Sequence, residues 1–386
     1  MWVYFLQKGR IPDAETTLSV DGEAVTINLR EFYTDYCGHI HNCLAERLDH
    51  CGGKLPFLVD IRTNRASRDP RNIPSAPHEY TSSHIFAVNA FFQYGLWKHD
   101  RRALATARQI MEETFRAAHE NRYVSHITRQ GSFAHSHGAM MVSVGALVDT
   151  LKTIDLLESR GAMRYRDLKA KLAATGRYAL DQFLGYHWVP SVGFAEYIHP
   201  VTKLPWADDR GRMICDPGHT AEGVGFFAEY RRWLPARDTT GFRFNRANML
   251  PVLADTLRFV DRYGYSKKGV MYKNIDLVTR AGTADVVDGR RAWKTAPWWN
   301  LRECAAAGIR MYALTGDARM WAIYRRAFNA TYAHYPNLNI GGLELQTLDA
   351  ETLRPLPFHP ATGNLDPMHS PRAREREIEA LEEIDA

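Results

Sequence analysis

The segment from residue 314 to residue 317 reads Leu314-Thr315-Gly316-Asp317 and separates two long stretches with helical periodicity. A link this short forces the two helices to run antiparallel as a hairpin. Residues 96–100 form a second short link of the same kind between two earlier helices. The chain is therefore predicted to contain recurring helical hairpins.

Ten amphipathic helices are predicted from apolar residues that recur at helical spacing. They cover residues 29–50, 79–97, 100–121, 137–159, 163–186, 217–234, 243–263, 299–315, 317–335 and 371–384. Repeated helix–link–helix units favour a closed ring in which inner and outer helices alternate. Long loops at 51–78, 187–216, 264–298 and 336–368 are typical of functional segments. We expect one all-α domain over residues 1–386 whose loops form a basin.

The N-terminal 28 residues have a different pattern. Two fragments of strand-like composition, Thr16–Val20 and Ala24–Ile27, flank the hairpin signal Asp21-Gly22. Residues 1–28 are therefore interpreted as an irregular or strand-like extension of the helical domain.

Composition limits the partners that the chain is expected to have. The net charge is +5, but the basic residues form no block of the kind that binds nucleic acid. No stretch approaches the roughly 18 uninterrupted apolar residues of a membrane span. The five cysteines form no CxxC motif and no signal peptide is recognisable, which indicates free thiols in the cytoplasm. The sequence leaves monomer and homodimer open.

The segment 216–222 reads Asp-Pro-Gly-His-Thr-Ala-Glu and has the features of a helix start. Asp216 is a good N-cap and Pro217 suits the first helical position. His219 then lies in the first turn, where the helix dipole disfavours imidazolium, so we expect a neutral histidine that can accept a proton. Glu222 shares its face. The segment is a candidate proton-transfer site, although a structural histidine would give the same pattern.

Two further clusters carry side chains suited to chemistry. Trp298 and Trp299 precede Glu303 at helical spacing, and indole faces stack on sugars while a carboxylate binds hydroxyls. The alternative is that the indoles only anchor a helix start in the core. His369 and Arg372 lie together in a C-terminal loop that leads into the last helix. The alternative there is a surface turn.

His135 and His137 cannot share one helix face, because they are two residues apart. Zinc is conceivable from these two with His219 and His369, but no recognised metal-binding spacing supports it, and we expect no metal. No nucleotide-binding glycine loop is present either, so we expect no cofactor. The charged run from Glu375 to Asp385 is expected to be the exposed face of the last helix.

Taken in order, these motifs resemble the N-acylglucosamine 2-epimerase family, which includes cellobiose 2-epimerases and aldose–ketose isomerases. The similar elements are Pro217-Gly218-His219-x-x-Glu222, Trp298-Trp299 with Glu303, Gly316-Asp317, and His369-x-Pro371-Arg372, together with Gly193-Phe194-Ala195-Glu196-Tyr197. They are in register over roughly residues 80–386. As a set, they are fairly specific.

The resemblance implies an (α/α)6 barrel that holds an open-chain sugar and needs no cofactor. It implies that His219 and His369 move a proton at the carbon beside the carbonyl, while Glu222 and Glu303 orient them or handle hydroxyl protons. Epimerisation removes a proton from one face and returns one to the other, so a base on each side is the direct solution. Arg372 would lie by the second histidine.

The remaining candidates for substrate binding are Trp298, Trp299, Glu196, His137, His84 and Arg62. The family's early Arg-Gln-x-Trp run is replaced here by Ser-His-Ile-Phe at residues 83–86, so the arginine that helps to bind the sugar is missing. His84 occupies this run, and Arg62 or Arg65 in the preceding loop is a candidate replacement. Residues 365–368 also differ, because an aspartate stands where the family often has a lysine.

Two other hypotheses stay open. A glycoside hydrolase or lyase would use carboxylates such as Glu222, Glu303, Asp208 and Asp209, about 5–10 Å apart across the basin, with the histidines turned away. A non-catalytic relative that only binds carbohydrate would keep the basin without proton exchange. All three hypotheses share a small carbohydrate as the ligand.

Overall fold

The structure is a computed structural model of the 386-residue chain. It describes residues 2–20, 22–56, 59–60, 62–63, 65–66, 80–120, 135–161, 163–236, 241–288, 291–337, 343–356 and 369–385.

Eleven α-helices follow one another within this described part of the chain. They are α1 (Trp2–Lys8), α2 (Leu29–His50), α3 (Ser82–Lys98), α4 (Arg101–His119), α5 (Gly138–Ser159), α6 (Arg166–Gln182), α7 (Pro217–Tyr230), α8 (Met249–Tyr263), α9 (Trp298–Thr315), α10 (Ala318–His334) and α11 (His369–Asp385). A π-helical turn, Phe183–His187, directly follows α6. Two short 3-10 helices cover Met163–Tyr165 and Arg231–Trp233.

The strands are short and lie between the helices. They are β1 (Glu15–Val20), β2 (Glu23–Asn28), β3 (Val59–Asp60), β4 (Arg65–Ala66), β5 (His135–Ser136), β6 (Trp188–Val189), β7 (Gly193–Phe194), β8 (Tyr197–Ile198), β9 (Ile214–Cys215), β10 (Ile275–Asp276), β11 (Ala281–Gly282), β12 (Val286–Asp288), β13 (Arg291–Trp293), β14 (Thr295–Pro297), β15 (Pro336–Asn337), β16 (Leu343–Glu344) and β17 (Thr347–Asp349). Antiparallel pairs join β1 to β2, β3 to β4, β5 to β8, β6 to β7, β12 to β13, β14 to β17 and β15 to β16, and β10 lies between β9 and β11.

The chain divides into two compact units. The first unit comprises residues 1–132 and 145–173, and the second comprises residues 133–144 and 174–386. In the first unit α3 packs along α4, and its fully buried side chains include Phe92 and Leu96. In the second unit α9 packs against α7, α10 and α11, and its core includes Phe226, Phe227 and Trp298. The single domain expected from the sequence stays a prediction.

The ten predicted helices are all present as α2 to α11, and the predicted N-terminal hairpin is β1–β2. One clear difference is the start of α8, which begins at Met249 rather than near residue 243. The side chain of Asn245 accepts hydrogen bonds from the backbone N–H groups of Ala247 and Asn248 at 2.8 and 3.2 Å. Asparagine side chains of this kind stabilise a turn in place of a helix.

The sequence analysis missed α1. This helix has seven residues, too few for a helical periodicity to stand out, and Val3, Tyr4 and Leu6 are buried. Helices this short depend on packing rather than on intrinsic propensity. Part of the extension that was expected to be irregular or strand-like is therefore a packed helix.

The expectation of an exposed charge run from Glu375 to Asp385 holds for residues 382–385 and is wrong for the first half of the run. Charged side chains along α11 are buried, namely Arg372, Glu375, Arg376, Glu377 and Glu379. They can be buried because they lie among opposite charges: Arg376 Nε is 3.9 Å from Glu229 Oε1, and Arg374 Nη1 is 3.4 Å from Glu377 Oε2. Buried charges require such partners. No described helix is both long and apolar enough to cross a membrane.

Candidate active site

The N-terminus of α7 forms as the sequence predicted. Asp216 is the N-cap, and its Oδ1 accepts hydrogen bonds from the N–H groups of Gly218 (3.0 Å) and His219 (3.2 Å). Pro217 occupies the first turn, where its missing N–H is not needed. These interactions fix the direction in which the His219 side chain leaves the helix.

Gly218 allows the start of α7 to lie against the start of α9. A Cβ atom on Gly218 would lie 2.3 Å from Asn300 Oδ1 and 2.7 Å from Trp299 Cζ3, which is too close for any side chain. Asn300 Nδ2 in turn donates to the backbone oxygen of Tyr272 at 2.9 Å. The glycine of the Pro-Gly-His segment is therefore required by packing beside the candidate histidine.

His219 lies between two carboxylates. Its Nδ1 is 3.1 Å from Asp216 Oδ2 and 3.5 Å from Glu196 Oε1, and its side chain is 30% exposed. Burial acts to lower the pKa of His219, but these carboxylates outweigh burial and the nearby Lys273, so the pKa is raised above its ordinary value. The expectation of a histidine held neutral by the helix dipole is therefore corrected, because full charges at this distance exceed the dipole.

Glu196 connects two of the predicted histidines. Its Oε2 lies 2.8 Å from Nε2 of the fully buried His137, and its Oε1 accepts a hydrogen bond from Ser136 Oγ at 3.2 Å. Burial acts to raise the pKa of Glu196, but the two imidazoles, His137 and His219, hold it well below its usual range. The His137 ring therefore joins the cluster. The side chain of His135 lies outside the described residues.

Trp299 links the two candidate catalytic histidines. Its ring centroid is 5.2 Å from that of His219 and 4.9 Å from that of His369, and it stacks on His369 with an interplanar angle of 15°. The two imidazoles can therefore be no farther apart than the sum of these distances. The first turns of α7, α9 and α11 supply the three rings, so three helix N-termini meet at this point.

His369 is held by a carboxylate and an arginine. Its Nδ1 lies 2.8 Å from Glu303 Oε1, and Arg372 Nη2 donates to the same Glu303 oxygen at 2.6 Å. Arg372 Nη2 also contacts Glu222 Oε1, so one guanidinium bridges both predicted carboxylates. Arg372 Nη2 lies 3.0 Å from His369 Nδ1 as well, and it can only donate, whereas the Glu303 carboxylate can only accept, so His369 Nδ1 lies between a donor and an acceptor.

The ionisation of Glu303 follows from these contacts. Burial acts to raise the pKa of Glu303, but the Arg372 guanidinium and the His369 ring outweigh it and lower the pKa to about 2. Glu303 is therefore a permanent anion near neutral pH. Its fixed negative charge is shared by the His369 ring and the Arg372 guanidinium, which it holds side by side.

Two groups of side chains have the spacing of metal ligands: His137, Glu196 and His219, and Glu222, Glu303 and His369. Within each group the potential ligand atoms lie within 4.8 Å of one another. In the second group, Arg372 already supplies a cation to both carboxylates. The expectation that no metal is used stays a prediction.

Three residues predicted to bind substrate take no part in the contacts given above for His219, Trp299 and His369. Trp298 is 1% exposed and packs in the core of the second unit, as the alternative interpretation allowed for this indole. His84 belongs to the first unit, where it is fully buried and its Nδ1 accepts a hydrogen bond from Thr81 N–H at 3.0 Å. Arg62 is also in the first unit, in an exposed turn after Asp60. Their roles in substrate binding remain predictions.

Sequence reasoning missed Lys273, whose Nζ contacts Asp216 Oδ2 and lies 4.5 Å from the centroid of the Trp299 ring. This lysine lies in the long loop after α8, and no local pattern distinguishes it from the lysines near it. His187 was also missed. This histidine is buried, and its Nδ1 lies 2.7 Å from the backbone oxygen of Ala195, the residue directly before Glu196.

Comparison with known proteins finds no matching family model and no matching curated protein. Solved structures do match. Cellobiose 2-epimerase from Bacillus thermoamylovorans B4167 is 13% identical, with 99% of this chain and 85% of that chain covered and a TM-score of 0.64. A sugar epimerase from a ruminal bacterium is 15% identical, with 78% and 70% covered and a TM-score of 0.54. A D-mannose isomerase is 14% identical, with 77% and 70% covered and a TM-score of 0.55.

At these identities the likeness establishes the fold. The chain has the all-α, (α/α)6-barrel fold of these structures, as the motifs predicted.

Proposed function

We propose that this protein is a cofactor-independent sugar 2-epimerase or aldose–ketose isomerase, in which His219 and His369 transfer a proton at the carbon beside the carbonyl of an open-chain sugar. The observation that carries this proposal is the packing of both imidazoles on the single indole of Trp299, each beside its own carboxylates. Solved structures of two sugar epimerases and a D-mannose isomerase share this fold, which supports the same reaction class.

The two histidines have the chemistry that such a reaction needs. Each ring has its Nδ1 close to a carboxylate oxygen, 3.1 Å from Asp216 for His219 and 2.8 Å from Glu303 for His369. Both side chains retain some exposure, 30% for His219 and 13% for His369. Proton transfer between a positioned side chain and the reacting carbon typically contributes about 10²–10⁴ to the rate.

The enediolate intermediate needs stabilisation of its negative oxygen. The first turns of α7, α9 and α11 bring their positive dipole ends to the cluster, and N–H groups at helix starts attract anions. The Arg372 guanidinium lies next to His369, but Glu222 and Glu303 already balance its positive charge, so the helix dipoles are the groups left to stabilise the developing charge without a cofactor.

The contacts of the carboxylates argue against the hydrolase alternative. Glu222 and Glu303 contact the same Arg372 nitrogen instead of facing each other across an open space. A glycosidase needs one protonated acid with a raised pKa, whereas the pKa of Glu303 is lowered to about 2. Asp208 pairs with Arg212 Nη2 at 2.6 Å, and Asp209 is exposed. Glu303 and Asp208, whose pKa values are both lowered, therefore lack the environment of a general acid.

A cytoplasmic location is part of the proposal. Its support is the state of the cysteines, since all five, Cys37, Cys43, Cys51, Cys215 and Cys304, are free thiols. Free thiols are typical of a reducing compartment. The oligomeric state is left to measurement.

The proposal is tested by proton NMR in D2O with a panel of aldoses, ketoses, N-acyl hexosamines and uronates. We expect loss of the C2 proton signal of one sugar together with the appearance of its epimer or ketose. Absence of exchange with every sugar, combined with release of reducing ends from oligosaccharides, would transfer the assignment to the hydrolase. Binding of a sugar without any exchange would identify a non-catalytic relative.

A further inference from the structure

Lys273 has no role in the proton transfer described above, yet it lies within the same cluster of side chains. Its Nζ contacts Asp216 Oδ2 and lies 4.5 Å from the centroid of the Trp299 ring. Its side chain is 18% exposed, and its backbone N–H donates to the Thr295 oxygen at 2.7 Å. The ammonium group is thus held between a carboxylate and an aromatic face.

Asp216 divides its two oxygens between different tasks. Oδ1 caps α7 by accepting the N–H groups of Gly218 and His219. Oδ2 contacts Lys273 and lies 3.1 Å from His219 Nδ1. Lys273 and His219 therefore share one carboxylate oxygen, and a change in the charge of either one is felt by the other.

We propose that Lys273 is a positioning residue, which acts on His219 through Asp216 and keeps this histidine able to release its proton. In this arrangement Lys273 offsets part of the negative charge that would otherwise hold His219 as a permanent imidazolium. The effect of Lys273 on catalysis rests on the proposed function. The effect of Lys273 on the proton affinity of His219 is independent of that function.

The charges around His219 come from several elements. Asp216 precedes α7 and Glu196 lies between β7 and β8, and both favour imidazolium. His137, next to the start of α5, pairs with Glu196 and stands 6.0 Å from His219 between ring centroids. His369 lies on the far side of the contact with Trp299, together with Glu303 and Arg372, which pair with each other.

Among the described residues, Lys273 is the cation that contacts Asp216, the carboxylate beside His219. Burial is the largest influence that lowers the pKa of His219, and Lys273 lowers it further, against Asp216 and Glu196. Without the ammonium group of Lys273, less positive charge opposes the effect of Asp216 and Glu196 on the pKa of His219. The physical expectation is a higher proton affinity for His219.

The test uses the Lys273→Gln variant, which keeps a hydrogen-bond donor for Asp216 but removes the charge. The full chain is labelled with 15N-histidine, and the imidazole signals are followed through a pH titration, with His219→Asn used for assignment. We expect the His219 midpoint to rise in Lys273→Gln and to stay at the wild-type value in Lys273→Arg. A midpoint that moves by about one pH unit corresponds to a tenfold change in proton affinity.

Lys294→Met is the matched control. Lys294 Nζ pairs with Glu351 Oε1 at 2.7 Å, so this variant also removes one lysine and one ion pair from the second unit. The His219 midpoint should not move in this control. Thermal unfolding of each variant is recorded beside the titration, and Lys273→Met serves as a second neutral variant if Lys273→Gln does not fold.

Once a substrate is known, the pH dependence of kcat/KM gives a second measurement. If His219 acts as a base, activity requires its neutral form. The acidic limb of the kcat/KM profile should therefore move to higher pH in Lys273→Gln and lie at the wild-type position in Lys273→Arg. An unchanged His219 midpoint in a folded neutral variant would overturn the proposal for Lys273, whatever the reaction is. A raised midpoint without turnover on any sugar would leave this proposal intact and count against the proposed function instead.

Discussion

The arginine that bridges the two buried carboxylates gives the most quantitative prediction. In an Arg372→Met variant, Glu222 and Glu303 would remain buried, at 3% and 2% exposure, without the guanidinium that contacts both. Removal of one partner from a buried ion pair typically costs about 3–5 kcal/mol. We expect a large loss of stability from this single substitution.

The pKa of Glu303 gives an independent magnitude. It falls from 4.5 to about 2 in the folded protein, and at about 1.4 kcal/mol for each tenfold change in proton affinity this corresponds to about 3 kcal/mol of stabilisation. Because the folded pKa is the lower one, this stability is present above pH 4.5 and is lost as the pH falls towards 2. Of this amount, about 2 kcal/mol is already lost between pH 7 and pH 3.

The assay is urea unfolding of the wild type and Arg372→Met at a series of pH values, followed by circular dichroism. At pH 7 the variant should be less stable by about 3 kcal/mol, and the difference should shrink as the pH falls. Arg319→Met is the control, because Arg319 is 71% exposed in its pair with Asp317 and should contribute less than about 1 kcal/mol. Equal stability at pH 7, or a difference that does not change with pH, would refute this reasoning.

Three further predictions concern the same cluster. Gly218→Ala should destabilise the protein by about 1–3 kcal/mol and lower turnover, because the added Cβ would overlap Asn300. Gly225→Ala is the control: its Cβ would have its nearest contact at 3.6 Å, so this variant should be neutral or stabilising by up to about 1 kcal/mol. Thermal unfolding of the two variants measures the difference, and equal losses of stability would contradict the prediction. Glu303→Gln should lower kcat by about 10²–10⁴ with a smaller change in KM, since the carboxylate that holds both His369 and Arg372 is gone. Steady-state kinetics measure this, and an unchanged kcat would remove Glu303 from the mechanism. Incubation with a chelator should leave turnover unchanged, because Arg372 already supplies positive charge to its carboxylates; a loss that a divalent cation restores would show metal dependence instead.

The helices could be predicted from the sequence because their apolar periodicity and short links are local features. Gly316 ends α9 with a positive φ of 65°, as expected for the glycine of a short link, and Asp216 caps α7 as its position suggested. The α1 helix escaped notice because a seven-residue segment has no clear period. The buried charges of α11 also escaped, since burial of Arg376 depends on Glu229, which is distant in sequence.

The candidate site could be predicted where a motif marked its residues. The Pro-Gly-His segment, the paired tryptophans and the final His-x-Pro-Arg segment were each recognisable, and the structure places His219 and His369 each against Trp299. What the sequence could not supply is the charge around each group. The proton affinity of His219 depends on Glu196 and Lys273, which approach from distant loops, so helix position alone gave the wrong direction.

Proton transfer by two histidines is tested most directly by C2 proton exchange in D2O with His219→Asn and His369→Asn. Each variant is compared with the wild type on the sugar that the wild type converts. We expect each variant to lose interconversion by about 10²–10⁴, and with an epimerase we expect one variant still to exchange the C2 proton of one epimer without inverting it. Conversion of the sugar by either variant at the full wild-type rate would show that this histidine does not transfer the proton.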